Sequence, residues 1–152
     1  DFCLSRGLGD VYKRQDVTSQ ELIQIYQARI RVFVVEQKCI YQEVDDYDLD
    51  AIHVILSNGN DIVAYTRIIT FEQYVSFGRV LVSENYRNQG YGRKIINETI
   101  NKINEMYQNT TIKISGQAHL KPFYESFGFH SVSDTYMEDG IPHIAFEMRT
   151  QI

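Results

Sequence analysis

The stretch 77–100, FGRVLVSENYRNQGYGRKIINETI, contains a glycine-containing turn between a strand pattern and a helix pattern. Its first seven residues are an apolar run of strand length, residues 87–92 (RNQGYG) contain two glycines, and a helical pattern starts at Arg93. Glycines at the start of a helix let main-chain N–H groups approach a ligand, and the helix dipole favours an anion there. Positive charge is added by Arg87, Arg93 and Lys94. The segment therefore predicts a binding site for a pyrophosphate group.

Two nucleotide-binding motifs do not fit this turn. A Walker A loop needs Lys and then Ser or Thr directly after its second glycine, whereas Arg93, Lys94 and Ile95 follow Gly92. A dinucleotide-binding turn needs a third glycine and an acidic residue about twenty positions further on. The third glycine of that motif would fall at position 95, which is Ile95, and no acidic residue lies near Thr110. A tight strand-to-helix turn that binds nothing remains open on these residues alone.

The composition limits the class of protein. With 152 residues, 43% of them hydrophobic and 23% charged, the chain has the size of one globular domain. Its net charge of −5 and the lack of a basic stripe argue against a nucleic-acid partner. No apolar run has the length needed to span a bilayer, so we expect a soluble protein without a membrane partner. Two cysteines, Cys3 and Cys39, do not make a disulfide framework, which favours the cytoplasm.

The first fifteen residues, DFCLSRGLGDVYKRQ, have a different character from the rest. They show neither a helical nor a strand period, and they lack the charged-then-apolar order of a signal peptide. We expect residues 1–15 to be a non-native assembly or adaptor remnant and residues 16–152 to form a single domain. Whether the segment supplies or replaces a first edge strand stays open at this point.

The remaining chain alternates between strand and helix patterns. Thr18 and Glu21 have the spacing of a capping box and predict a helix over 19–35. Strands are predicted at 51–57, 62–70, 75–83 and 111–117, a second helix at 93–107, a short helix between Pro122 and Gly128, and a final hairpin with its turn at 138–140. This order predicts a mixed α/β sheet in which the helix 93–107 connects parallel neighbours.

Several motifs together carry a family resemblance. They are R-x-x-G-x-G at 87–92, VFVVEQKCIYQEVDDYDLD at 32–50, AYTRI at 64–68, GQAHLKPFYESFGF at 116–129 and YMEDGIPHIAFEM at 136–148. Between Glu21 and Met148 the sequence resembles the ElaA-like branch of the GNAT superfamily of acyl-CoA-dependent N-acetyltransferases. The resemblance implies the GNAT fold, a mostly antiparallel sheet with a splayed parallel pair that flanks the CoA site. It also implies acetyl-CoA as cosubstrate and a primary amine as acceptor.

The resemblance assigns roles to individual residues. The main chain of Val80, Leu81 and Val82 corresponds to the segment that pairs with the pantetheine arm of CoA, and the Val82 N–H is placed to contact the oxyanion. The pyrophosphate loop corresponds to Arg87, Asn88, Gln89, Gly90, Tyr91, Gly92 and Arg93. Tyr124 matches the tyrosine assigned as the general acid near the departing thiolate, and it also contacts CoA. On the sequence alone, a tyrosine on a short amphipathic helix also fits a core position.

A general base is harder to assign. Many GNAT enzymes carry a glutamate on the strand before the glycine turn, but here Arg79 is the only ionisable residue in that strand. Five residues are candidates: Glu43, Asp45, His53, His119 and His143. We favour Glu43 and His143, as base or as acceptor-binding residues, because loop 36–50 and the hairpin near 138–143 should border the acceptor.

Residues 43–50, EVDDYDLD, contain five carboxylates. One hypothesis is that they attract a cationic acceptor, and the alternative is a solvated acidic face. The spacing of Asp46, Asp48 and Asp50 imitates a calcium loop, but Ala51 and Ser57 replace its glycine and its bidentate glutamate. We therefore expect no metal. An acyl-CoA sensor or interaction module without turnover remains the alternative function, and both a monomer and a homodimer fit the sequence.

Overall fold

The computed structural model describes residues 9–151, which form one mixed sheet with helices on both faces. The helices are α1 (Ser19–Ile30), which continues as wider π-helical turns over Arg31–Glu36, α2 (Tyr91–Met106) and α3 (Lys121–Glu125). The strands are β1 (Gly9–Lys13), β2 (Ile52–Asn58), β3 (Asp61–Thr70), β4 (Tyr74–Val82), β5 (Thr111–Gln117), β6 (His130–Ser131), β7 (Tyr136–Glu138) and β8 (Ile141–Arg149). Among the described residues, no helix is long and apolar enough to cross a membrane.

The strands lie in the order β1-β2-β3-β4-β5-β8-β6, with β7 paired to β8. Neighbours are antiparallel except β4 and β5, which α2 connects in parallel. The mixed α/β sheet predicted from the sequence is confirmed. β1 lies within the segment that the sequence set aside, and it pairs with β2 from Gly9–Leu56 to Lys13–Ile52. The sequence showed no strand pattern there, and the foreign origin of residues 1–15 stays a prediction.

Helix α1 begins as its sequence predicts. The Glu21 N–H donates to Thr18 Oγ1 at 3.1 Å, and the Thr18 N–H donates to Glu21 Oε1 at 2.9 Å, which completes the capping box. The buried side of α1 packs against Tyr65 and Leu81 on one face of the sheet. The isoleucines of α2 pack on the other face, in the larger core cluster. The two helices therefore cover opposite faces of β3 and β4.

Strands β4 and β5 pair only where they begin. The register joins Tyr74 to Thr111 and Val75 to Ile112, and no further pair of these two strands is present in the described chain. Because the strands diverge beyond that point, the groups of β4 that face β5 are left without a strand partner. The predicted splayed parallel pair is confirmed.

A β-bulge interrupts β4 in its middle. Tyr65 pairs with Leu81 and Arg67 with Gly78, so two residues of β4 face a single residue of β3. Arg79 lies in this bulge with φ 51°, a left-handed conformation that is uncommon outside glycine. The strand predicted at 75–83 is present as β4 (Tyr74–Val82), and the bulge within it was not predicted. The bulge redirects the Arg79 side chain toward the loop that follows α1.

Candidate acyl-CoA and acceptor site

The turn before α2 exposes main-chain donors. Gly90 is the N-cap residue with φ 85°, a conformation that favours glycine. The Lys94 N–H donates to the Gly90 carbonyl at 3.2 Å and is the first i→i−4 bond of the helix. The N–H groups of Tyr91, Gly92 and Arg93 therefore precede the hydrogen-bonded ladder, as at any helix N-terminus. This is the arrangement that binds a phosphate group.

The arginines of this turn have neighbours of their own. Arg87 donates through Nε to the Val82 carbonyl at 2.9 Å, and its Nη2 lies 2.5 Å from Glu36 Oε1. Arg87 thus connects the turn to the end of the π-helical segment. Arg93 donates to Ser126 Oγ at 3.1 Å and stacks on the Phe127 ring at 4.7 Å, which connects α2 to α3. The main-chain N–H groups at the start of α2 are therefore donors that these side-chain contacts leave available.

The end of β4 presents its backbone to the gap beside β5. Val82 pairs with Ala64, and the adjacent Ser83 N–H donates to the Val63 carbonyl at 2.9 Å. That pattern makes Val82–Ala64 a non-hydrogen-bonded antiparallel pair, so the Val82 N–H points away from β3. The Val82 carbonyl accepts from Arg87, whereas the N–H faces the gap. The side chains of Val80 and Val82 pack toward α2, and Leu81 packs toward α1.

Tyr124 lies on α3 with its side chain 5% exposed. Its ring reaches β5 because residue 116 is glycine: a Cβ at Gly116 would lie 2.6 Å from Tyr124 Cε2. Burial raises the pKa of Tyr124 to about 12, so its phenol keeps its proton at neutral pH. Within residues 9–151 no protein group is hydrogen-bonded to this hydroxyl. The position is compatible with the predicted general acid, a role that stays a prediction.

A cavity of about 270 Å³ lies between the π-helical segment, β4, β5 and the β7–β8 hairpin. Its apolar walls include Phe33, Ile69, Phe77 and Ile141, and its polar groups include Arg79, Glu138 and His143. Because β4 and β5 diverge at this cavity, it is continuous with the edge of β4 near Val80. The cavity is therefore the candidate acceptor site, and the structure places His143 in its wall.

His143 and Glu138 form a pair on the hairpin. His143 Nδ1 lies 2.7 Å from the Ile141 carbonyl oxygen, an acceptor, which assigns the proton of the neutral ring to Nδ1. Nε2 is then an acceptor, and it lies 3.6 Å from Glu138 Oε2. Glu138 Oε1 accepts at 3.2 Å from Ser115 Oγ, which also contacts the Tyr136 hydroxyl. Two acceptor atoms thus lie side by side in the wall of the cavity.

Three of the five carboxylates in the acidic loop form internal ion pairs, which bears on two expectations. Buried Glu43 contacts the buried guanidinium of Arg29 at 2.9 Å and that of Arg79 at 2.7 Å. Asp48 also binds Arg29, and Asp45 binds Arg67 at 2.8 Å. Glu43 is therefore part of a structural network and does not fit the general-base role. The carboxylates of Glu43, Asp45 and Asp48 also give no free negative surface for attracting a cation.

Asp48 shows how strongly the network favours its charged form. Burial alone would raise the pKa of this carboxyl group. The hydrogen bonds and the charge of Arg29 outweigh burial, and they lower the pKa of Asp48 to about 2. Desolvated ion pairs of this kind fix geometry, because losing one partner leaves a buried charge. The network holds the loop after α1 against β3 and the bulge of β4.

The other predicted residues lie elsewhere. His53 is fully buried, and its Nδ1 lies 2.5 Å from the Tyr65 hydroxyl, inside the sheet. His119 lies in the turn after β5, and neither histidine lines the acceptor cavity. The role of Glu138 and the contact between Ser115 and Tyr136 were not predicted from the sequence. The cross-strand register that places Tyr136 opposite His143 could have suggested this cluster.

Comparison with known proteins agrees with this architecture. Residues 11–150 match the acetyltransferase (GNAT) domain. A UPF0039 protein of Schizosaccharomyces pombe is 44% identical over 136 residues, which are 88% of this chain and 89% of that protein. Protein ElaA of Escherichia coli is 38% identical over 134 residues, covering 85% of this chain and 88% of ElaA. The crystal structure of an acyl-CoA N-acyltransferase from Pseudomonas aeruginosa is 37% identical with a TM-score of 0.88, covering 91% and 97% of the two chains.

An acyl-CoA-dependent acyltransferase is the class that the splayed sheet, the glycine turn before α2 and these matches define. The chain belongs to the GNAT acetyltransferase family. The crystal structure of E. coli ElaA matches it with a TM-score of 0.87 over 91% of this chain and 97% of that one. The expected GNAT fold and the resemblance to ElaA-like proteins are both confirmed. No group of three or more potential metal ligands lies among residues 9–151.

Proposed function

We propose that this protein transfers an acetyl group from acetyl-CoA to a primary amine of a small molecule or peptide, by direct attack in a ternary complex. The proposal rests on the position of the cavity, which lies beside the unpaired edge of β4 at the gap between β4 and β5. The unpaired edge of β4 lines, at Val80, the cavity that also contains His143 and Glu138, and the Val82 N–H lies two residues further along the same edge. An acyl donor held along β4 and an amine held in the cavity would meet there.

Main-chain groups at the start of α2 and along β4 are suited to bind acetyl-CoA, the acyl donor. Acetyl-CoA supplies an activated thioester whose carbonyl carbon an amine can attack. The N–H groups at the start of α2 would hold the pyrophosphate, and the β4 edge would pair with the extended arm as an added strand does. The Val82 N–H would then stabilise the negative charge that develops on the carbonyl oxygen. The side chains of Val80 and Val82 leave this backbone accessible from the gap.

His143 is the base in this proposal. An ammonium group cannot attack, so the acceptor nitrogen must lose one proton before attack and a second as the amide forms. His143 Nε2 is the acceptor that the Nδ1–Ile141 hydrogen bond leaves available. The carboxylate of Glu138, 3.6 Å away, would stabilise the imidazolium that forms. Tyr124, which remains protonated at neutral pH, would donate to the departing thiolate.

Binding of the donor can be tested with two matched glycine variants. Gly90 and Gly59 both have positive φ, and a Cβ at either position would contact nothing within 4 Å. Replacing either glycine with alanine therefore adds similar backbone strain. We expect Gly90→Ala to weaken acetyl-CoA binding at least about tenfold, because the N-terminal donors shift, whereas Gly59→Ala keeps wild-type affinity. Equal affinities for the two variants would contradict the pyrophosphate site.

Turnover is tested separately by measuring free thiol released from acetyl-CoA across a panel of primary amines. The proposal predicts release that depends on the amine. Binding of acetyl-CoA without amine-dependent release would instead favour a sensor of acyl-CoA. The sensor alternative is supported by the ion pairs of Glu43 with Arg29 and Arg79. Because these pairs occupy Glu43, His143 is the one favoured base candidate that remains. No thermal stabilisation by acetyl-CoA would contradict both functions.

A further inference from the structure

The acceptor cavity has a guanidinium group on the wall opposite its hairpin. Arg79 reaches it from the bulge of β4, and 20% of this side chain is exposed. Its Nη2 donates to the Glu43 carbonyl at 2.7 Å, and its Nε lies 2.7 Å from Glu43 Oε2 without the alignment of a hydrogen bond. Its Nη1 is hydrogen-bonded to none of residues 9–151. Arg79 therefore keeps donor capacity for a ligand.

The network behind Arg79 contains more donors than its carboxylates use. Three arginines, Arg29, Arg67 and Arg79, face three carboxylates, and each guanidinium has five N–H donors. Arg67, whose side chain is 5% exposed, lines the same cavity, and its Nε is buried with no hydrogen-bond partner in the described structure. Formal charge is balanced within this network, but hydrogen bonding is not. Of the unused donors, those of Arg79 belong to the side chain that is partly exposed at the cavity.

The hairpin wall has the opposite character. When the His143 ring is neutral, its Nε2 and Glu138 Oε2 are both acceptors, and they suit an N–H donor such as an amine. Apolar side chains, among them Phe33, Phe77 and Ile141, lie between the two walls. At about 270 Å³ the cavity is slightly below the roughly 300–1,000 Å³ of pockets for drug-sized ligands. A compact ligand with an amine at one end and an acidic oxygen at the other fits this pattern.

We infer, on the basis of the proposed function, that the acceptor is a small amino-acid-like molecule whose amine meets His143 and Glu138 and whose carboxylate meets Arg79. Guanidinium and carboxylate are matched in shape, and two parallel hydrogen bonds fix the ligand's orientation. Binding at Arg79 would direct the amine toward the gap beside Val82. The apolar walls favour an aliphatic or aromatic side chain. The cavity would thus select acceptors by their acid group as well as by their amine.

The first test compares leucine with leucinamide and phenylalanine with phenylalaninamide as acceptors. A carboxylate also changes the pKa of the neighbouring amine, so the acid-to-amide ratio of kcat/KM alone is not decisive. The change of that ratio between wild type and Arg79→Gln cancels this effect. We expect the ratio to fall at least about tenfold in Arg79→Gln, since a hydrogen bond between charged groups is lost. It should stay constant in Lys113→Gln, which removes an exposed charge outside the cavity. An unchanged ratio in folded Arg79→Gln would overturn the inference.

A second test needs only the wild-type protein, because Arg79→Gln also disturbs the ion-pair network. The probes are 4-methylpentanoate and 4-methylpentanamide, which lack the amine, as inhibitors against a fixed acceptor amine. We expect the carboxylate to compete at least about tenfold more strongly than the amide. Equal inhibition would overturn the inference while leaving the acetyltransferase proposal intact. If the protein acetylates no amine at all, the proposed function fails, and this inference fails with it.

Discussion

His143 Nε2 lies 3.6 Å from Glu138 Oε2, in the wall of a cavity that meets the unpaired edge of β4. The proton on Nδ1 is used by the Ile141 carbonyl, so the two facing atoms are both acceptors in the neutral ring. A pair of this kind binds an amine by its N–H groups and can accept one of its protons. No glutamate on β4 is needed for this chemistry.

The pair predicts distinct effects for its two members. His143→Asn should lower kcat about 10²- to 10⁴-fold, the range for losing a general base, with little change in acetyl-CoA affinity. Glu138→Gln should lower kcat less and raise the KM for the amine, because the carboxylate orients the amine and stabilises the imidazolium. His130→Asn, an exposed histidine on β6, is the control. Steady-state kinetics at fixed acetyl-CoA separates kcat from KM, and wild-type kcat in folded His143→Asn would exclude the base.

Tyr124 is predicted to act through its hydroxyl alone. Its pKa is raised to about 12 by burial, and a raised tyrosine pKa means that the proton is lost only as pH rises toward that value. Activity should therefore show no loss from Tyr124 ionisation between pH 7 and about pH 10. Tyr124→Phe should lower kcat about a hundredfold or more and leave acetyl-CoA affinity unchanged. The pH–rate profile and a binding titration check both parts.

A matched variant tests whether that effect is specific. Tyr107→Phe removes a hydroxyl that contacts Thr70 at 2.6 Å, at the far end of α2. We expect wild-type kcat for Tyr107→Phe. If Tyr124→Phe retains full activity, the tyrosine serves only as a core residue and another group protonates the thiolate.

The ion-pair network predicts a stability that depends on pH. The pKa of Asp48 is lowered from 3.8 to about 2, so the folded state binds its proton less readily than the unfolded chain does. Its contribution is complete above the unfolded pKa and is lost as pH falls from about 4 toward 2. Asp48→Asn should cost about 3 kcal/mol in the free energy of unfolding at pH 7, because buried Arg29 loses a charged partner.

Denaturant unfolding at several pH values measures this contribution. The difference between wild type and Asp48→Asn should shrink as pH falls below about 4. Asp134→Asn, at an exposed position outside the network, should behave like wild type throughout. A pH-independent difference for Asp48→Asn would mean that the charge of Asp48 does not stabilise the fold.

The features that could be predicted from the sequence are those with local signals. Three such signals predict the start or end of a helix or strand from a few neighbouring residues: the capping box at Thr18, the hairpin around Gly59 and the glycine turn at Gly90. All three are present in the structure. The splay of β4 from β5 followed from the family resemblance rather than from periodicity. β1 was missed because Gly9–Lys13 has no alternating pattern and gains its order by pairing with β2.

The charged residues were harder to place because their partners are distant in sequence. Glu43 lies in a loop that lines the cavity, but Arg29 and Arg79 come from other elements and form ion pairs with its carboxylate. Gly78 inside the strand pattern is a signal for a bulge, but it does not show that the left-handed residue is Arg79. Glu138 acquires its position only through the register that brings His143 beside it. Pairing across the sheet, rather than composition, decides these roles.

The central claim is that the acetyl group passes to an amine held in this cavity. The most direct measurement is mass spectrometry of the acceptor after incubation with acetyl-CoA, combined with the amount of thiol released. The proposed transfer predicts one N-acetylated acceptor per thiol with the wild-type protein, and strongly reduced amounts of both with His143→Asn. Thiol release without an acetylated amine, or equal product from wild type and folded His143→Asn, would contradict it.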